Sequence, residues 1–161
     1  MKTTPEIQLP SPRFETIKPL SLVGMTEHYS CQSAAGIPDQ WQKFSPRLGT
    51  IPGQVGKVAY GVCYNVDRDD NFDYLCGVEV ASSAELPHGL TRLQVPAQKY
   101  AVFTHRGHVS EIRAVFSAVW SKWLPQSGYE AASAPVLERY GPEFNGENGL
   151  GGFEVWVPIK G

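Results

Sequence analysis

The sequence has no apolar run near the roughly 20 residues a helix needs to cross a bilayer, so no membrane association is expected. It has no run of lysine or arginine either: 14 basic residues face 16 acidic ones, for a net charge of −2. That balance offers little to a nucleic-acid backbone or an anionic surface, and direct nucleic-acid binding is not expected. Cysteine is scarce. Cys31, Cys63 and Cys76 are odd in number and show no C-x-x-C spacing, which argues against a disulfide framework or a zinc site. They read as small buried hydrophobes. His105 and His108 flank Gly107, with no carboxylate or cysteine placed to complete a ligand set, so neither metal nor cofactor is expected. A phosphate-cradling glycine loop and a G-x-S-x-G elbow are both missing. No apolar segment follows Met1–Pro5, so no secretory signal is expected and the location is expected to be cytoplasmic.

What is present suits one globular domain. The 161 residues are 42% hydrophobic and 19% charged, and a chain of this length buries about 70% of its unfolded surface. Residues 1–12 hold three prolines and read as a flexible lead-in, with the folded domain over 13–161. Strand-like stretches cover Arg13–Thr26 (interrupted by Pro19), Val58–Tyr64, Tyr74–Val80, Leu90–Val95, Tyr100–His105, Pro135–Tyr140 and Phe153–Ile159. Trp41, Phe44 and Leu48 predict a short helix within 37–48. Ile112, Val115, Phe116, Val119, Trp120 and Trp123 form one apolar stripe of a helix over about 110–124, capped by Ser110 and stopped by Pro125, with Trp120 in the core. Each half, about 13–86 and 89–161, reads strand-helix-strand-strand. The fold class is α+β: a mostly antiparallel sheet, two main helices on one face and a central ligand cleft.

Glu138 is the notable polar residue. Alternation puts it on one strand face with Val136 and Tyr140, and Leu137 and Arg139 on the other. That pattern fits an exposed carboxylate paired with a neighbouring cation, and equally an anion inside an aromatic pocket. Trp156 shares its face with Glu154 and Pro158 and is a candidate ligand platform. Trp41 and Phe116 lie on helix stripes facing the cleft. Tyr29, Tyr60, Tyr64 and Tyr74 are further wall candidates, the middle two alternating with the small residues Ala59, Gly61 and Cys63.

Several segments together resemble a known family. Val23-Gly24-Met25-Thr26-Glu27-His28-Tyr29-Ser30-Cys31 resembles a segment of the effector-binding domains of AraC-type regulators. Tyr100–Gly107, Trp120–Pro125 with Ser127-Gly128-Tyr129, Leu137–Tyr140 and Val155–Ile159 are similar, in order and spacing, to the rest of the GyrI-like small-molecule-binding family. The resemblance covers about residues 13 to 160. It implies a duplicated fold around a pocket for bulky aromatic compounds, often cationic, whose charge meets the glutamate at position 138. With the aromatic candidates read from the residue pattern, the expected ligand set is Glu138, Tyr140, Trp156, Trp41, Phe116, Tyr60 and Tyr29. The resemblance leaves three roles open: a stand-alone protein that senses or sequesters a small molecule, a hydrolase of cyclopropane-bearing alkylators with Glu138 as catalytic group, and an inhibitor of a topoisomerase. The short lead-in leaves no room for a helix-turn-helix, so promoter binding is not expected of it.

Overall fold

The computed structural model describes residues 9–30, 32–81 and 85–161; Cys31 lies outside them. The chain forms strands β1 (Arg13–Ile17), β2 (Leu20–Tyr29), β3 (Gln54–Tyr64), β4 (Phe72–Val80), β5 (Thr91–Val95), β6 (Gln98–His105), β7 (Val136–Tyr140) and β8 (Phe153–Pro158). Helix α1 (Ile37–Phe44) lies between β2 and β3, and α2 (Ile112–Ala118) and α3 (Leu124–Ser127) lie between β6 and β7. The eight strands make one sheet in the order β1-β6-β8-β7-β3-β4-β2-β5, and every neighbouring pair is antiparallel. Two strand-helix-strand-strand units, β2-α1-β3-β4 and β6-α2-α3-β7-β8, meet at the β3–β7 seam. Pro19 separates β1 from β2, and the chain uses the break to change units. β1 pairs with β6 of the second unit, while β5 returns to pair with β2 of the first.

The helix-bearing face holds two apolar cores. Val23, Tyr74, Cys76, Val78 and Phe44 form the first, and Phe103, Val115, Val119, Tyr140, Val155 and Val157 the second. Leu9, in the stretch read as lead-in, packs against the second. Trp41 of α1 packs against both and so ties the halves together. Among the described residues the opposite face carries no helix, yet Leu22, Val62, Leu75, Val95, Tyr100, Val102 and Leu137 are buried there. The sheet curls into a half-barrel and covers them itself.

Three local expectations for the second helical segment are corrected. Its N-cap is His108, not Ser110: the His108 Nδ1 accepts from the Ser110 backbone N–H (3.0 Å) and Glu111 Oε1 accepts from the His108 N–H (3.2 Å). An imidazole nitrogen here does what an Asp or Asn oxygen does in the commoner capping box. Pro125 does not stop the helix. A π turn over Val119–Trp123 precedes it, and the proline sits in the first turn of α3, where its missing N–H costs nothing. The segment ends at Gly128, in the left-handed region at φ 79°. Trp120 is 41% exposed rather than core. The wide π turn shifts the stripe, so that Trp123 instead stands edge-on to Phe103 at 5.0 Å.

Candidate functional site

The middle of the helix-bearing face is where polar chemistry is buried. Across the central strands, Val155, Glu138, Gly61 and Cys76 stand in register on β8, β7, β3 and β4. Three of these are small or apolar. The fourth is a carboxylate that is 7% exposed. The expected partition of β7 holds: Glu138 and Tyr140 face the helices, and Leu137 joins the core of the opposite face.

Two phenols hold the carboxylate. Tyr74 Oη donates to Glu138 Oε1 at 2.7 Å and Tyr140 Oη donates to the same oxygen at 2.8 Å. Among the described residues, Oε2 accepts no hydrogen bond, and no Lys, Arg or His forms an ion pair with Glu138. Burial pushes the Glu138 pKa above the ordinary glutamate value, and the two phenol hydrogen bonds oppose that shift without cancelling it. Burial, with the nearby Glu138 charge, also holds Tyr74 and Tyr140 well above the usual phenol range. They therefore remain protonated and can only donate to the carboxylate. The thiols of Cys63 and Cys76 are pushed up by the same two causes and stay as unreactive thiols.

A second layer positions the phenols. Trp41 Nε1 donates to Tyr74 Oη at 2.9 Å, and its ring stands edge-on to Tyr140 at 5.4 Å. The indole thus spans both residues that grip Glu138. Gln40, buried on the same helix, donates to the carbonyls of Met25 and Tyr74 and accepts from the Tyr29 hydroxyl at 2.7 Å. This clamp fixes α1 over β2 and β4. Gly61 makes the closest approach possible: a Cβ there would run into Tyr74 Oη and Glu138 Oε1. The Tyr74–Glu138 hydrogen bond crosses the strand where no side chain stands in the way.

The residues named from sequence divide between the two faces. Glu138, Tyr140 and Trp41 come together, and Phe116 packs against the second core on the same side. Tyr29 is on that side too, but its hydroxyl is taken by Gln40. Tyr60 and Trp156 lie across the sheet, against Leu137. Register decides this: Leu137, not Glu138, stands opposite Trp156. Tyr74 was one of several tyrosines of equal standing in the sequence, and Gln40 carried no distinguishing signal. The one available hint was the small-residue face Ala59-Gly61-Cys63, which is the floor beneath Glu138. His105 and His108 are spent on local structure, the first within 3.3 Å of Glu111 and the second as a cap. Among the described residues no group of three or more His, Cys, Asp or Glu could hold a metal, and no helix is long and apolar enough to cross a membrane.

Comparison with known proteins gives this arrangement a family. Residues 10–160 match the GyrI-like small-molecule-binding domain. The chain belongs to that family. It is 38% identical over 127 residues to the transcriptional regulator BrlR of Pseudomonas aeruginosa, a match spanning 78% of this chain and 46% of that protein. It is 26% identical over 147 residues to the Right origin-binding protein of Escherichia coli, across 85% of this chain and 50% of that protein. The chain therefore spans about half the length of the curated relatives it matches. Among solved structures, SAV2435 bound to tetraphenylphosphonium superposes with a TM-score of 0.72 at 20% identity, covering 94% of this chain and 95% of that one. A chain of the EcmrR–DNA complex superposes with a TM-score of 0.63 at 14% identity, over 92% of this chain and 57% of that one. At these identities the likeness establishes the GyrI-like fold, a curled antiparallel sheet with helices on one face.

Proposed function

We propose that this GyrI-like domain binds bulky aromatic cations at Glu138, as a sensor or sequestering protein. One observation carries the reading. A buried carboxylate has two neutral donors on one oxygen, and among the described residues it has no ion-pair partner. Burying such a charge is costly unless a cation compensates it. A delocalised organic cation supplies the missing charge, and the rings of Trp41 and Tyr140 add cation–π attraction. The ligand bound in SAV2435 is of this class. Access requires the Trp41 indole to leave the two phenols it spans, so the α1 clamp at Gln40 resists binding.

The test is titration calorimetry with tetraphenylphosphonium. Wild-type protein should bind it saturably, and Glu138→Gln should weaken binding by at least about tenfold, as expected for loss of a desolvated charge partner. Equal affinity in both proteins overturns the reading. A hydrolytic role has one observation in its favour: the raised pKa brings Glu138 closer to the working range of a general base, with Oε2 left for a water. Mass spectrometry of a cyclopropane-bearing alkylator incubated with wild type and Glu138→Gln separates the two readings, since only hydrolysis adds water in a Glu138-dependent way.

A further inference from the structure

Tyr60 and Trp156, separated from Glu138 by the thickness of the sheet, line a cleft of their own. It is a half-open cleft of about 300 Å³ between Ile17, Pro19, Leu20, Leu137, Tyr60 and Trp156, with Lys18 and Glu79 also on its wall. The β1–β2 turn at Pro19 forms one side, and β3, β4, β7 and β8 supply the rest. Its walls are two aromatic rings and aliphatic side chains, the composition expected of a small-molecule pocket.

The charges in and around it are unevenly satisfied. Glu154 is fully engaged: it accepts from Arg13 at 2.8 Å and Trp156 Nε1 at 3.1 Å, and lies 3.6 Å from Arg139. Glu79 is different. It is half-buried in β4, and among the described residues its carboxylate has neither a hydrogen-bond nor an ion-pair partner. Lys18, on the same wall, is exposed and does not pair with it. Burial holds the Tyr60 phenol above its usual range; a hydrogen bond and the charge of Arg139 oppose that rise, and Glu79 adds a smaller upward push. The Trp156 ring already receives a cation on this side of the sheet, since the Arg13 guanidinium lies 5.7 Å from its centroid.

We infer that this cleft is a second ligand site, for a small organic ammonium ion whose charge pairs with Glu79 and whose apolar body lies between Tyr60, Trp156 and Leu137. The site is independent of Glu138. The two carboxylates point to opposite faces of the sheet, and the cleft's Tyr60, Leu137 and Trp156 belong to a different core from Tyr140. Charge selects the ligand here: an aryl ammonium satisfies the unpaired carboxylate and the aromatic walls at once, whereas an aryl carboxylate meets Glu79 as a like charge.

Benzyltrimethylammonium is a suitable probe, read by the indole N–H resonance of Trp156, assigned by its disappearance in Trp156→Phe. The resonance should shift saturably with the probe and stay still with benzoate. Glu79→Gln should weaken the probe by about tenfold, the size of one desolvated cation contact, and Glu138→Gln should leave this titration unchanged. A conserved thermal midpoint in Glu79→Gln shows that the fold is kept. No saturable shift, or a shift lost in Glu138→Gln and kept in Glu79→Gln, overturns the proposal.

Discussion

Replacing Gly61 by alanine is the sharpest probe of the buried carboxylate. On backbone grounds alone the change should help, because alanine is the less flexible residue in the unfolded chain, worth about 0.4–1 kcal/mol where the native conformation tolerates it. Gly61 is not among the positive-φ glycines, so its backbone does tolerate it. The obstacle is the space beyond. A methyl at position 61 would occupy the path between Tyr74 Oη and Glu138 Oε1. Neither group has free room to retreat: Tyr74 is fully buried and tied to Trp41, and Glu138 is held by Tyr140. Overpacking of a filled core costs about 1–3 kcal/mol, and losing a hydrogen bond to a charged group about 1.5–3 kcal/mol more. The two costs sum to about 2.5–6 kcal/mol, or a fall in melting temperature of about 5–24 °C for a domain of this size. Chemical denaturation of Gly61→Ala, Tyr74→Phe and the double variant forms a cycle. Tyr74→Phe removes the oxygen nearest the new methyl, so Gly61→Ala should cost about 1–2 kcal/mol less in that background. A neutral or stabilising Gly61→Ala, or strict additivity in the cycle, would refute the geometry.

Further outcomes follow from the same site and its surroundings. Because burial raises the Glu138 pKa, the folded protein holds a proton over a pH window in which the unfolded chain has released it. The stability this group contributes is present below the ordinary glutamate pKa and declines as pH rises through the raised value. Wild type should therefore lose stability relative to Glu138→Gln across that window in pH-dependent thermal denaturation; a constant difference would contradict it. A bound cation favours the carboxylate, so tetraphenylphosphonium affinity should fall as pH drops through the same range, with proton release visible in calorimetry from buffers of different ionisation heat. His108→Ala should cost about 1 kcal/mol through loss of the helix cap, a fall in melting temperature of about 2–4 °C. Trp120→Ala should change stability by less than about 0.5 kcal/mol. If it instead costs several kcal/mol, the π-turn register is wrong.

Local residue patterns were enough to set the strands and the faces they present. Period-two alternation placed Glu138 with Tyr140 and against Leu137, since that pattern depends only on successive side chains in one strand. The apolar stripe from Ile112 to Val119 placed α2 against the sheet for the same local reason. Pro19 marked the break between β1 and β2 because a proline cannot donate to a ladder. What sequence could not decide was which faces of different strands coincide. Leu137 rather than Glu138 stands opposite Trp156, and Arg139 rather than Glu138 stands opposite Tyr60; these two registers send Trp156 and Tyr60 to one side of the sheet and the carboxylate to the other. Register between strands is set by how the whole sheet closes, not by either strand. The same holds for the Tyr74–Glu138 hydrogen bond, whose partners are 64 residues apart, and for Gly61, whose missing side chain matters only because two others meet above it. Even the end of the second helical segment was a tertiary matter. A π turn lets Pro125 lie inside a helix that local propensity would have ended, and the displaced stripe turns Trp123 rather than Trp120 toward Phe103.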